Sequence, residues 1–243
     1  MYSTSFLDEP TTFGTSGLLY RSNKVMYDRA TNTLWSQLTG RPIIGPLVGS
    51  DIRLKIFPLV LTTWGEWLTD HPDTTVLSLD TGYYSPTQYQ REDDSASIYF
   101  SYRNSAETMF PVWIRDDRLD AKEEVLGLTV DDVYKAYPLR VIGEMRVLSD
   151  TVNGVDVVVI ASSSSMDARA YRSGGMTFEP PRENSGTGLP RLLVASDGSR
   201  WRVTVDALVD VEDESRTLPS MFANISFWFG WYAFHSDTLL YGE

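Results

Sequence analysis

Trp64-Gly65-Glu66-Trp67-Leu68-Thr69-Asp70-His71-Pro72-Asp73-Thr74 and Trp228-Phe229-Gly230-Trp231-Tyr232-Ala233-Phe234-His235-Ser236-Asp237-Thr238 share one pattern, Trp-x-x-Trp-x-x-x-His-x-Asp-Thr. The two runs stand 164 residues apart and hold both histidines of the 243-residue chain. Upstream, Thr12-Phe13 matches Thr177-Phe178 at a spacing of 165, and Asn32-Thr33-Leu34-Trp35 lines up with Gly198-Ser199-Arg200-Trp201 at 166. Self-similarity in one frame is the mark of an internal duplication. It predicts two diverged, pseudo-equivalent β-rich units, residues 1–110 and 111–243, packed together in one compact globule. A β-rich block, roughly Glu123 to Gly175, precedes the second unit, whereas only twelve residues precede Phe13. The first unit is therefore expected to be N-terminally incomplete. Its open edge would be covered by the second unit, by a homo-oligomer contact or by a further segment.

Around this frame the apolar runs are short and turn residues are frequent, which predicts a mainly β chain, or α+β with few short helices. Ser16–Tyr20, Lys24–Tyr27 and Asp51–Phe57 read as strands. Val147–Thr151 and Val155–Ile160 flank Asn153-Gly154, which supplies the positive-φ pair of a tight hairpin. Val157-Val158-Val159-Ile160 is apolar without alternation and should be buried on both faces. Helices are expected over Thr63–Asp70, capped by Thr62 or Thr63 and closed by Pro72, and over Ser226–His235, capped by Ser226. A third helical turn is expected at Asp131–Tyr134. Tyr83–Ser105, with Arg91-Glu92-Asp93-Asp94 at its centre, and residues 173–190 read as loops.

Composition narrows the partners. With 33 acidic against 21 basic residues the net charge is −12, so a phosphate backbone meets repulsion over most of the surface and nucleic acid is excluded as an expected partner. The absence of cysteine removes disulfides, thiolate metal sites and cysteine nucleophiles. No run approaches the ~18 apolar residues of a membrane span, and Met1-Tyr2-Ser3-Thr4-Ser5 carries no visible signal peptide. Phosphate-binding, dinucleotide, zinc-peptidase and calcium-loop motifs are missing, and the sequence assigns no cofactor.

The run Phe13-Gly14-Thr15-Ser16-Gly17-Leu18-Leu19-Tyr20, then Met26-Tyr27-Asp28-Arg29, Leu34-Trp35-Ser36-Gln37 and Gly45-Pro46-Leu47, resembles the DUF3179 family, a domain of unknown function. The similarity continues through Thr63-Trp64, His71-Pro72-Asp73-Thr74, Lys135-Ala136-Tyr137-Pro138 and Phe227-Trp228-Phe229-Gly230-Trp231. The resemblance implies a bacterial and archaeal group, often exported or membrane-anchored, and so an extracytoplasmic setting. It also implies an upstream Cys-Pro-Leu-Cys stretch. This sequence departs from that pattern, so no cysteine-dependent role carries over. The resemblance brings no established activity.

Four groups of residues are chemically suggestive. His71 with Asp73, and His235 with Asp237, could each serve as general base or metal ligand, since a carboxylate orients and polarises an imidazole. Their structural reading places each histidine at a helix end, followed by an Asp-Thr turn; occurrence in both copies favours it. Trp35, Trp64, Trp67, Trp201, Trp228 and Trp231 suit core anchors first and a ligand-stacking platform second. Asp28 and Arg29, with Ser16 and Asn23, could form a polar, anion-clamping pocket, against a local turn and ion pair. Ser162 to Ser165 follow a buried strand but lack a nucleophile elbow. The first expectation is a non-catalytic binding or scaffolding module with a small-molecule site between the copies, for which Asp28, Arg29, Trp35, Trp228 and Trp231 are the candidate ligand-binding residues. The second is an enzyme or metal-binding protein, with His235, Asp237, His71 and Asp73 as catalytic candidates and the two histidines as metal candidates.

Overall fold

In the computed structural model, residues 2–7, 10–57, 59–85, 88–91, 94–181 and 186–243 are described. Turn chemistry sets the first sheet. β1 (Phe13–Tyr20) and β2 (Asn23–Asp28) are joined by Arg21 and Ser22, both at positive φ (50° and 62°), the backbone a two-residue hairpin turn requires. Asn32, at φ 56°, returns the chain into β3 (Leu34–Ser36), and β4 (Pro42–Ile44) completes the order β1-β2-β3-β4. Phe6 and Phe13 meet the buried Trp35 edge-on, at 4.8 and 6.2 Å.

From Gly45 to Lys122 the described residues hold only α1 (Trp64–Asp70) and α2 (Phe100–Arg103). The strand expected at Asp51–Phe57 shrinks to one bridge between Ile56 and Tyr2. Its inward residue, Leu54, gives its N–H to Gly40 O, a loop carbonyl, so the segment packs beside a turn rather than in a ladder. α2 falls inside the expected Tyr83–Ser105 loop; Glu92 and Asp93 at its centre lie outside the described residues, as do residues 182–185 of the second loop.

The largest core follows. β5 (Glu124–Val130) and β6 (Val133–Pro138) form a hairpin, then come α3 (Leu139–Met145), β7 (Val147–Val152), β8 (Val155–Ala161) and β9 (Ala168–Arg172). Asp131 takes positive φ (53°) and closes the β5–β6 hairpin, which corrects the helical turn expected there: the left-handed residue ends a strand instead of starting a helix. Asn153 and Gly154 close β7–β8 as expected, at φ 50° and 72°. Val157 to Ile160 are buried throughout because one face meets α3, β5 and β6 and the other the next sheet. That next sheet is the meander β10 (Phe178–Glu179), β11 (Leu192–Ala195), β12 (Arg200–Val203), β13 (Ala207–Asp210) and β14 (Thr217–Pro219). α3 had no sequence signal beyond Pro138 at its N-cap.

β15 (Ala223–Phe227), α4 (Trp228–Phe234) and β16 (Leu239–Leu240) end the chain. β15 runs antiparallel to β5, and β16 runs parallel to β6, giving the order β15-β5-β6-β16. The strands flanking α4 are therefore parallel, with the β5–β6 hairpin inserted between them, a split β-α-β unit. Ser226 lies within β15 and Phe227 is the N-cap, without a side-chain cap bond; the ladder to β5 extends through Phe227 opposite Glu124 and takes the serine away from the cap.

The two meanders repeat details. Phe178 meets Trp201 edge-on at 6.2 Å and 87°, as Phe13 meets Trp35 at 6.2 Å and 81°. Arg29 N–H donates to Thr12 O and Ser196 N–H to Thr177 O. Two arginines make contacts far along the chain. Arg21, on the β1–β2 turn, donates to Ala233 O in the last turn of α4 (2.7 Å) and lies over the Phe234 ring. Arg191, just before β11, donates to Glu66 O and pairs with Asp70 in the last turn of α1. Arg21 thus meets the carbonyl-rich end of α4, whereas Arg191 reaches a carbonyl in the first turn of α1 and the carboxylate of its last residue.

Gly127 on β5 faces Trp231, where a β-carbon would overlap the indole ring. Gly127→Val should destabilise the fold by about 1–3 kcal/mol, read as a lower denaturant midpoint with an unchanged slope.

Candidate functional site

The repeated motif folds into the same corner twice. In α1, Thr63 accepts from Glu66 N–H while the Glu66 carboxylate accepts from Thr63 N–H, a reciprocal cap. His71 ends the helix at φ −133°, ψ 65°, its N–H donated to Trp67 O; His235 ends α4 at φ −132°, ψ 67°, its N–H donated to Trp231 O. Trp67 Nε1 donates to Thr74 Oγ1 and Trp231 Nε1 to Thr238 Oγ1, both at 2.9 Å. Each imidazole lies against its indole, with centroids 4.1 Å apart in the first corner and 4.3 Å in the second.

Their surroundings differ. Trp228 and Trp231 are buried under the β5–β6 hairpin, with Tyr134 stacked on His235 at 3.9 Å. Trp64 is 51% exposed against 1% for Trp228, Trp67 is half-buried, and His71 is exposed. Burial keeps His235 neutral and pushes its pKa down to about 4; Arg21 and Arg53 add to the lowering, and Asp237 opposes it. Asp73 and Asp237 are both exposed, and neither accepts a hydrogen bond from its histidine among the described residues. Nor do the described residues bring three His, Asp or Glu side chains together as a metal site.

Trp67 and His71 instead line a cleft of about 590 Å³ between the α1 corner and the second meander, opposite Leu189, Arg191, Val203 and Val205. This volume lies in the range of small-molecule sites. Its polar groups are largely engaged. Burial would raise the Glu66 carboxyl, but bonds from Thr63, Thr62 and Leu189 N–H outweigh it and hold it below the ordinary value. Arg169 makes a two-point ion pair with the buried Asp167 on the cleft wall. His235 is not part of this cleft, so the two imidazoles do not share a cavity. The Leu189–Arg191 and Val203–Val205 walls have no counterpart in the sequence reading, because they carry no motif and stand more than 110 residues from α1 in the chain.

Of the expected ligand-binding residues, Trp228 and Trp231 are locked in packing. Trp35 is buried and donates to Asp28 Oδ2 at 2.9 Å. Burial would raise the Asp28 carboxyl, but bonds from Trp35 and Thr31 outweigh it and hold it low. Arg29 is exposed and donates to Tyr27 Oη, while Asn23 and Asp28 occupy opposite ends of β2. Ser162 accepts from the N–H groups of Ser164 and Ser165 and donates to Thr187 O, organising a loop. One group absent from the sequence-based candidates is Tyr137, which donates to Asp150 (2.8 Å) while Lys135 pairs with the same carboxylate (2.6 Å). Burial and that carboxylate push the Tyr137 phenol up, so it remains a structural donor.

A family model described as "Protein of unknown function (DUF3179)" matches residues 1–238. Among curated proteins and solved structures, none matches the chain.

Because the unfolded chain protonates His235 near pH 6.5 and the folded chain only near 4, the stability this residue contributes is complete above about pH 6.5. It falls as the pH drops toward 4, by up to about 3 kcal/mol. Denaturation midpoints measured from pH 7 to 5 should decline, and His235→Gln should flatten that decline; an unchanged slope in the variant would refute the assignment.

Proposed function

The chain belongs to the DUF3179 family of proteins of unknown function, and on that premise we propose that it is a non-catalytic binding module whose site is the cleft at the α1 corner. The observation that carries this reading is the asymmetry of the two corners. The same indole–imidazole pair is sealed in packing at α4 but faces an open cleft at α1. A half-buried tryptophan, Trp67, on a largely apolar, concave wall is a surface that recognition uses economically, because one rigid ring contributes a large contact area. Leu189, Val203 and Val205 offer an apolar floor, while His71 and the Arg191–Asp70 pair line its polar side. This chemistry suits a flat, mainly apolar group carrying one or two polar atoms.

The proposal includes the two-unit architecture: the arginines exchanged between the halves support packing about a pseudo-twofold relation, with the cleft at the seam. The reading of His71 or His235 as base or metal ligand has less behind it. Asp73 and Asp237 point to solvent, and His235 is held between Tyr134 and Trp231.

The test is a library of planar aromatic fragments followed by NMR. Fragments should shift the Trp67 indole N–H and the Val203 and Val205 methyl signals, and Val205→Trp, which fills the cleft, should remove those shifts. Fragments that bypass these signals, or that bind the Val205→Trp variant equally well, would defeat the reading.

A further inference from the structure

The ionised groups on the cleft walls are four carboxylates, Glu66, Asp70, Asp167 and Asp206, and three guanidinium groups, Arg169, Arg191 and Arg202. All but one are engaged. Arg169 is held at two points by Asp167, whose side chain is 1% exposed. Arg191 is held by Asp70 and by the Glu66 carbonyl. Arg202 turns away to Glu214, which is not part of the cleft lining, at 2.8 Å. The Glu66 carboxylate accepts four bonds, from the Thr62 and Thr63 hydroxyls and from the N–H groups of Thr63 and Leu189, which fills its acceptor positions. An arriving anion therefore finds no guanidinium in the cleft without a carboxylate already on it.

Asp206 is the exception. Among the described residues its carboxylate receives neither an ion pair nor a hydrogen bond. It stands at the tip of the β12–β13 hairpin, one residue after Val205 of the apolar wall. The backbone of this turn is tied down. Thr204 N–H donates to Ala207 O (3.0 Å), and the Thr204 hydroxyl both accepts from Ala207 N–H (3.1 Å) and donates to Ala207 O (2.7 Å). Tyr171 Oη donates to Thr204 O at 2.6 Å, and Ser220 N–H donates to Asp206 O at 2.8 Å. Only the Asp206 side chain is left to be ordered by a ligand, which keeps the cost of binding low. The apolar floor of Leu189, Val203 and Val205 thus lies beside one carboxylate with its acceptor capacity unused.

We propose that the cleft takes a small organic cation, a primary amine whose apolar body lies on Leu189, Val203 and Val205 and whose ammonium group donates to Asp206. This inference deepens the cleft reading and rests on it: it adds the sign of the ligand's charge and the residue that selects it. An ammonium group carries three donors and no acceptor, so it matches a carboxylate that nothing else occupies. Asp206 is exposed, and an ion pair in contact with water contributes modestly. Apolar contact therefore supplies most of the affinity, and Asp206 supplies the discrimination between cation, neutral molecule and anion.

The test titrates the full chain with 2-phenylethylammonium, 2-phenylethanol and 3-phenylpropanoate, probes of similar size that differ in charge. Binding is followed at the Trp67 indole N–H and the Val203 methyl signals, at about pH 8 and low ionic strength, where an alkylammonium group is charged. The ammonium should bind about three to five times more tightly than the alcohol, and the propanoate more weakly than either. Asp206→Asn should bring the ammonium to the level of the alcohol and leave the alcohol unchanged, whereas Asp206→Glu should keep the preference. The substitution removes one of 33 acidic residues, so a preference that came from the overall charge of the chain would survive it. Should Asp206→Asn fail to fold, added salt gives a comparison on the unmodified chain, because screening should narrow the preference toward unity. Equal affinity for ammonium and alcohol, a preference that persists in Asp206→Asn or in high salt, or tightest binding of the propanoate overturns the proposal; the last result would mean that Arg191 leaves Asp70 for the ligand. In those cases the Trp67 and Val203 signals still move and the cleft reading stands. If all three probes leave these signals unmoved, the cleft reading and this inference fail together.

Discussion

In each corner the indole N–H of the second tryptophan is given to a threonine hydroxyl seven residues further on. An indole N–H removed from water is stabilised by an acceptor, which the buried Trp228 Nε1 lacks, and a threonine beyond the helix end can supply one only if the chain turns sharply. The histidine makes that turn: its backbone N–H stays with the tryptophan carbonyl while φ and ψ leave the helical region. The imidazole is thereby laid on the indole, and the exit direction of the next segment is set. At α4 this direction brings Leu239 and Leu240 alongside Lys135 and Ala136, so the closing strand of the sheet depends on that one bond.

Seven-residue helices are too short to persist on propensity alone, and the two corners meet that difficulty differently. α1 buries none of its residues and relies on the Thr63–Glu66 cap and on Arg191. α4 has no side-chain cap but buries Trp228, Trp231 and Ala233 against the hairpin. Packing can replace a cap where a hydrophobic face is covered, and a cap becomes necessary where it is not. The glycine at 127 allows the tighter of these arrangements, because the indole occupies the space a side chain would need.

The chain carries a strong negative charge, yet two contacts between segments far apart in it use arginines. Arg21 is directed at the last turn of α4, and Arg191 at the Glu66 carbonyl and the Asp70 carboxylate of α1. Guanidinium suits such contacts: its several donors reach helix carbonyls while its flat face lies on a ring or meets a carboxylate. The Arg191 contact holds the α1 corner against the second meander, beside the cleft between them.

The tryptophan and histidine spacing, a threonine cap at Thr62 or Thr63, and Asn153-Gly154 between two valine-rich runs were legible in the sequence because each acts within about ten residues, where spacing converts directly into geometry. The buried valines of β8 were legible for the same reason. Asp51–Phe57 and the Ser226 cap differ from expectation because distant partners decide them, a loop carbonyl and a ladder to β5, whereas at Asp131–Tyr134 a local hairpin closure with Asp131 at positive φ takes the place of a helical turn. The cleft was beyond the sequence altogether, since its walls come from residues far apart in the chain and carry no motif. By itself the sequence determined the corners, the β-rich character and the exclusions that follow from charge and missing cysteine. Which corner is sealed and which stands open was decided only by tertiary structure, because burial depends on what the rest of the chain places against an otherwise identical local bond.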